Sequence, residues 1–198
     1  MIRLGLFGGT FDPVHYGHLR PVEAARRELD LPRILILPNP TPPHKLREPL
    51  TPYLHRKAML RLALEEFPQL ELADFEEHAD GPAYTTDTVR RIIATLPEGA
   101  RELWLIVGMD SLIELPHWKD PEAIFRDVHV AALPRPGFPA EDVRPDFLSR
   151  VCLLKTPLLD ISATDVRRIL RGGESAESLL APPVLAYIRR NHLYASRV

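Results

Sequence analysis

A chain of 198 residues, 45% hydrophobic and 26% charged, is long enough to bury one sizeable core and short for two full domains, so a single domain over residues 1–198 is expected. Its net charge of -2 argues against a broad nucleic-acid surface, which needs a basic excess, and confines any anion site to a local pocket. The single cysteine, Cys152, excludes an internal disulfide and, lying in the apolar run Val151 to Leu154, is expected to be a small buried hydrophobe rather than a nucleophile.

The chain begins with Ile2, Leu4, Leu6 and Phe7, the apolar and β-prone character of a buried strand. Gly8-Gly9 then allows a sharp turn at the strand's carboxyl end, where open α/β sheets bind ligands. From Gly17 onward Leu19, Val22, Ala25 and Leu29 recur at helical spacing. His15 and His18 therefore flank a helix N-terminus, whose unpaired N–H groups and dipole favour an anion. The turn fits neither the Walker A pattern nor the GxGxxG dinucleotide fingerprint. No basic-then-apolar leader precedes the strand and no apolar run approaches bilayer length, so a cytoplasmic protein that does not enter membranes is expected.

A second strand, Arg33 to Leu37, is closed by Pro38-Asn39-Pro40 and a proline-rich stretch from Thr41 to Pro52. A helix from about Pro52 to Phe67 carries Leu54, Ala58, Leu62 and Glu65 on successive turns, with Met59, Leu60, Ala63 and Leu64 widening its apolar face. A short strand from Leu70 to Ala73 precedes a loop, Glu76 to Ala83, after which Thr85-Thr86-Asp87 is expected to cap a helix running through Leu96. Leu103 to Val107 and His129 to Leu133 are continuous apolar strands, ending in Gly108 and in Pro134-Arg135-Pro136-Gly137. Beyond Ala140 follow an Asp/Pro-rich loop, a last strand at Val151 to Leu154, and two short helices at about Thr164 to Arg171 and Pro183 to Asn191. Strands alternating with helices imply crossover connections, hence an α/β, doubly wound, Rossmann-like parallel sheet with helices on both faces.

A second phosphate element stands near the end. In ISATDVR, Ile161 to Arg167, either Ser162 or Thr164 can cap the following helix, and Arg167 lies one turn in. Hydroxyls, terminal amides and a guanidinium can thus converge on a polyphosphate. Two such helix starts with two histidines and an arginine suit an ATP triphosphate.

The string GGTFDPVHYGH from Gly8 to His18, taken whole, resembles the extended (H/T)xGH signature of the nucleotidyltransferase superfamily as it stands in the bacterial nicotinate mononucleotide adenylyltransferases. The resemblance runs from near residue 3 to about Tyr194, its motifs occur in family order, and the one departure noticed is Ala163, where many members have serine. It implies direct adenylyl transfer from ATP to nicotinate mononucleotide, with Mg²⁺ accompanying ATP and no covalent protein intermediate. His15, His18 and Arg167 carry over as catalytic, and Gly8, Gly9, Thr10, Phe11, Ile161, Ser162 and Thr164 join them in binding ATP. On the acceptor side the resemblance assigns the lysine of Pro42-Pro43-His44-Lys45 to phosphate, Tyr84, Thr85 and Thr86 to the pyridine pocket, and Gly108, Asp110, Trp118 and Lys119 to ribose and ring. Arg135 is assigned to phosphate or to the adenine side. No protein metal site is expected, because His15 and His18 have no third ligand cluster. The rival expectations are an adenylyltransferase for nicotinamide mononucleotide or another phosphate acceptor, and a silent nucleotide-binding sensor. A monomer and a homo-oligomer are both compatible with these residues.

Overall fold

The computed structural model describes residues 1–40, 50–75, 83–99 and 101–195. Six strands form one sheet, β1 (Ile2–Gly9), β2 (Ile34–Pro38), β3 (Leu70–Leu72), β4 (Arg101–Gly108), β5 (His129–Leu133) and β6 (Val151–Leu153). Every neighbouring pair is parallel and the order is β3-β2-β1-β4-β5-β6. The chain therefore reverses its winding between β1 and β4, and a crevice opens at their carboxyl ends.

The alternation of side chains along the strands builds two apolar layers. Phe7, Ile34, Ile36, Ile106, Ala131 and Leu133 face helices α1 (Tyr16–Glu28), α2 (Tyr53–Leu64), α7 (Ala163–Arg171) and α8 (Pro182–Arg190). Leu4, Leu6, Leu103, Leu105, Val107, Val130 and Ala132 face α3 (Thr85–Thr95), α4 (Met109–Glu114), α5 (Pro121–Asp127) and α6 (Pro145–Leu148). Because the central strands are covered on both sides, they are apolar almost throughout rather than at every second residue. No described helix is long and apolar enough to cross a membrane.

Four expectations are corrected. The buried stripe of α2 is Arg56, Met59, Leu60, Ala63 and Leu64, while Leu54 is 70% exposed and Glu65 is exposed as well. The apolar stripe is thus centred on the residues expected only to widen it, and an arginine occupies its first turn. Cys152 is exposed: it lies on β6, a three-residue strand at the edge of the sheet. Thr85, Thr86 and Asp87 lie inside the first turn of α3, whose N-cap is Tyr84 with no side-chain cap bond. Helices α4, α5 and α6 occupy segments expected as connections; at four to seven residues they are too short to display a helical period. The expected loop from Glu76 to Ala83 and the proline-rich stretch lie mostly outside the described residues.

Candidate active site

The loop after β1 turns out of the sheet at Gly9 and enters α1 at His15, its N-cap. Phe11 takes a left-handed backbone with φ 50°, and its ring folds beneath the turn, where a Cβ on residue 9 would lie 2.9 Å from it. Glycine is required there by that contact. Phe11 is buried, so its side chain supports the loop: its edge meets the His18 ring at 5.2 Å between centroids.

His15 and His18 stack at 3.7 Å between ring centroids, tilted by 27°. The His15 backbone N–H donates to His18 Nδ1 at 3.4 Å, which leaves the His18 proton on Nε2. His15 is 4% exposed, and both of its ring nitrogens are buried without a hydrogen-bond partner in the described protein. Burial, with a smaller contribution from the Arg135 cation, pushes its pKa down to about 3. The ring is therefore neutral near pH 7 and presents one N–H, in a place where an unpaired polar group costs about 1–3 kcal/mol unless a ligand completes it.

The second helix start lies against the first. A Cβ on residue 17 would stand 2.8 Å from both the carbonyl oxygen and Cβ of Ile161 and 2.9 Å from His15 Nδ1, so only glycine lets α1 and the Ile161 segment approach this closely. Between the two candidate caps the structure selects Ser162: its hydroxyl accepts the Asp165 N–H at 3.0 Å, whereas Thr164 lies in the first turn of α7 and accepts from Arg167 at 3.4 Å. Arg167 also donates to the Asp12 carbonyl at 2.7 Å, crossing from α7 to the β1 loop. Asp12 is a hub that sequence reading missed. Its carboxylate accepts the Thr51 N–H at 3.2 Å and the Tyr194 hydroxyl at 2.5 Å, and burial together with that carboxylate pushes the Tyr194 phenol up.

On the other side of the loop a cleft is lined by Gly8, Gly9, Thr10, Asn39, Tyr84, Thr85, Thr86, Gly108, Ser111, His117, Trp118 and Lys119. The unassisted N-terminal turn of α3 forms one wall. Thr86, buried, donates its hydroxyl to the Lys119 carbonyl at 2.6 Å and so ties the Trp118-Lys119 segment to that turn. Lys119 pairs with Asp87 at 2.8 Å and lies 4.9 Å from the centre of the Tyr84 ring. The Trp118 backbone N–H donates to the Leu115 carbonyl at 3.0 Å, which leaves its ring as the part of Trp118 offered to the cleft. Asp110 lies in the first turn of α4 and is paired with Arg135, whose charge also reaches His15.

Of the expected residues, one set thus gathers at the starts of α1 and α7 and another, Tyr84, Thr85, Thr86, Gly108, Trp118 and Lys119, lines the cleft together with Gly8 to Thr10, whereas Asp110 and Arg135 pair with each other and do not line it. Lys45 lies outside the described residues. Among the described residues no group of three His, Cys, Asp or Glu is placed to hold a metal ion. Asn39 and Arg56, discussed below, carried no local motif; the only signal for Arg56 was a charged residue at the edge of an apolar helical stripe.

The cytidylyltransferase-like family model matches residues 6–169. The nicotinate-nucleotide adenylyltransferase of Escherichia coli O6:H1 (strain CFT073) is 37% identical, covering 96% of this chain and 97% of its own. The probable nicotinate-nucleotide adenylyltransferase of Symbiobacterium thermophilum is 36% identical over 98% of this chain and 96% of its own. Among solved structures, Plasmodium falciparum nicotinic acid mononucleotide adenylyltransferase complexed with NaAD superposes with a TM-score of 0.81 over 98% of both chains at 19% identity, a likeness of fold.

Proposed function

The chain belongs to the cytidylyltransferase-like family of nucleotidyltransferases, and from that premise we propose how its two-sided crevice works. Its activity is that of a nicotinate-nucleotide adenylyltransferase: the adenylyl group of ATP passes to nicotinate mononucleotide, giving nicotinate adenine dinucleotide and pyrophosphate in NAD biosynthesis. One observation carries the reading at this site. A buried, neutral His15 with both ring nitrogens unpaired sits between two helix N-termini and beside a cleft.

An oxygen of the mononucleotide 5′-phosphate attacks the α-phosphorus of ATP; the bond from that phosphorus to the bridging oxygen breaks and pyrophosphate leaves with the electron pair. The protein's work is positioning and charge stabilisation. We assign His15, His18 and Arg167 to the phosphate oxygens of ATP, with Gly8, Gly9, Thr10 and Phe11 contributing backbone and Ile161, Ser162 and Thr164 the α7 start. ATP enters as its Mg²⁺ complex. In the cleft, Trp118 and Tyr84 hold the pyridine ring, the amides of Thr85, Thr86 and Lys119 its carboxylate, and Gly108 the ribose side together with Asp110, while Arg135 serves phosphate or the adenine side and Lys45 phosphate. The substrates are soluble metabolites, so we place the enzyme in the cytoplasm and expect neither nucleic acid nor membrane as partner.

Pyrophosphate release from ATP, measured with nicotinate mononucleotide, nicotinamide mononucleotide and phosphopantetheine as acceptors, tests this. Release fastest with nicotinate mononucleotide is expected; none with any acceptor would leave a silent nucleotide-binding protein. Trp118→Ala should raise KM for the mononucleotide about tenfold or more and KM for ATP far less, since a stacking face is worth roughly 1–3 kcal/mol by analogy with nucleobases. Equal losses for both substrates, or a lower melting temperature with normal KM, would return Trp118 to a packing role.

A further inference from the structure

Among the described residues Arg56 is the largest fully buried side chain, at 1% exposure, and it enters none of the roles assigned above. Its guanidinium spends four hydrogen bonds on backbone carbonyls: Nε on Thr51 at 2.9 Å, Nη1 on Thr10 at 2.6 Å and Asn39 at 2.8 Å, and Nη2 on Pro40 at 2.9 Å. Thr10 belongs to the loop after β1, and Asn39 and Pro40 to the loop after β2. These are adjacent parallel strands, and Thr10 and Asn39 both line the cleft. One nitrogen therefore binds the two lips of the crevice to each other, reinforcing the backbone bond from Asn39 N–H to the Gly9 carbonyl at 2.9 Å.

A buried cation is costly to place, and a structural fastener between two loops needs no charge. Here the fork is the point. Arginine offers five N–H donors in a fixed plane, so carbonyls from three segments are held at set separations; lysine has three donors on one rotatable nitrogen and cannot reproduce the pattern. Burial lowers the Arg56 pKa from its ordinary value and the nearby Asp12 carboxylate opposes that shift; Asp12 is the same residue to which Thr51, Arg167 and Tyr194 are bonded.

Resting on the adenylyl-transfer reading, we propose that Arg56 is a positioning residue for the reaction: by fixing Thr10 against Asn39 and Pro40, it sets the line along which the acceptor phosphate in the cleft meets the α-phosphorus held by the β1 loop. It touches neither substrate. Its loss leaves both half-sites present but misaligned, and a displacement of about 1 Å costs on the order of 10²-fold in rate.

The test compares wild type, Arg56→Gln and Arg56→Lys for kcat and for KM of each substrate, with rates normalised to the folded fraction from near-ultraviolet circular dichroism. For Arg56→Gln, kcat is expected to fall about 10²-fold with both KM values within about threefold of wild type, and Arg56→Lys to recover only a small part of the loss. A lowered melting temperature with wild-type kcat per folded molecule would make Arg56 a simple brace, and a raised KM with intact kcat would make it a pocket-shaping residue; either result overturns the proposal. Should Arg56→Gln not fold, Arg56→Ala refolded with guanidinium serves in its place: recovery of kcat by guanidinium and not by methylammonium at equal ionic strength is expected, and equal response to the two salts overturns the proposal. Wild-type activity alone judges the adenylyl-transfer reading, because Arg56 is judged by the variant-to-wild-type ratio with whichever acceptor wild type uses.

Discussion

His18→Ala is expected to lower kcat by a factor on the order of 10²–10³ while ATP affinity changes far less. The ring is held before any substrate arrives: Nδ1 accepts the His15 N–H at 3.4 Å, one face lies on the His15 ring at 3.7 Å and the Phe11 edge supports it at 5.2 Å. The remaining proton is on Nε2, at the positive end of α1, where it meets charge as it builds on the bridging and non-bridging oxygens. A donor fixed in this way needs no reorganisation in the transition state, and its loss is felt there more than in the ground-state complex. The variant should keep its fold, because His18 is only half-buried and Phe11 retains its contact with Phe7 at 6.0 Å. Steady-state kinetics beside calorimetric titration with ATP separates the two effects; wild-type turnover in a folded variant would remove His18 from the mechanism.

The elements of this site differ in how far the residues announce them. The β1 loop, the Ser162 cap and the Thr85-Thr86 turn are contiguous strings, so their chemistry is written locally, and the parallel sheet follows from apolar runs separated by helical periods. Arg56 and Asp12 are different. Their partners lie up to 46 and 182 residues away, and several of those partners are backbone carbonyls that no residue type marks. Only the packed fold reveals that an arginine in the α2 stripe faces loops instead of solvent. The same limit explains Cys152: an apolar run reads alike in a central strand and an edge strand, and strand order alone exposes it. The pairing of Asp110 with Arg135 was equally hidden, since it joins two segments whose separate motifs each suggested a ligand contact.

The acid–amide choice should give the largest effect of all: kcat/KM for nicotinate mononucleotide is expected to exceed that for nicotinamide mononucleotide by up to about 10⁴-fold at matched ATP and Mg²⁺. The first turn of α3 has no side-chain cap, so the amides of Thr85 and Thr86 meet no acceptor within the helix, and the helix dipole adds partial positive charge at the cleft wall. Lys119 completes the arrangement, because the Thr86 hydroxyl bonded to its carbonyl at 2.6 Å fixes that backbone against α3, while its ammonium is held by Asp87 at 2.8 Å. A carboxylate only accepts hydrogen bonds and satisfies such a set with both oxygens. A carboxamide must turn its NH₂ toward at least one fixed N–H, which leaves a buried donor unpaired and forfeits the charge-assisted bond. Thr86→Val supplies the internal control: removing the hydroxyl frees the Lys119 backbone, so it should erode discrimination between the two mononucleotides more than it lowers turnover with nicotinate mononucleotide. Equal kcat/KM for the two acceptors in wild type, or a preference for the amide, would show that these amides do not receive a carboxylate, and the deamido assignment of the acceptor would fall with them.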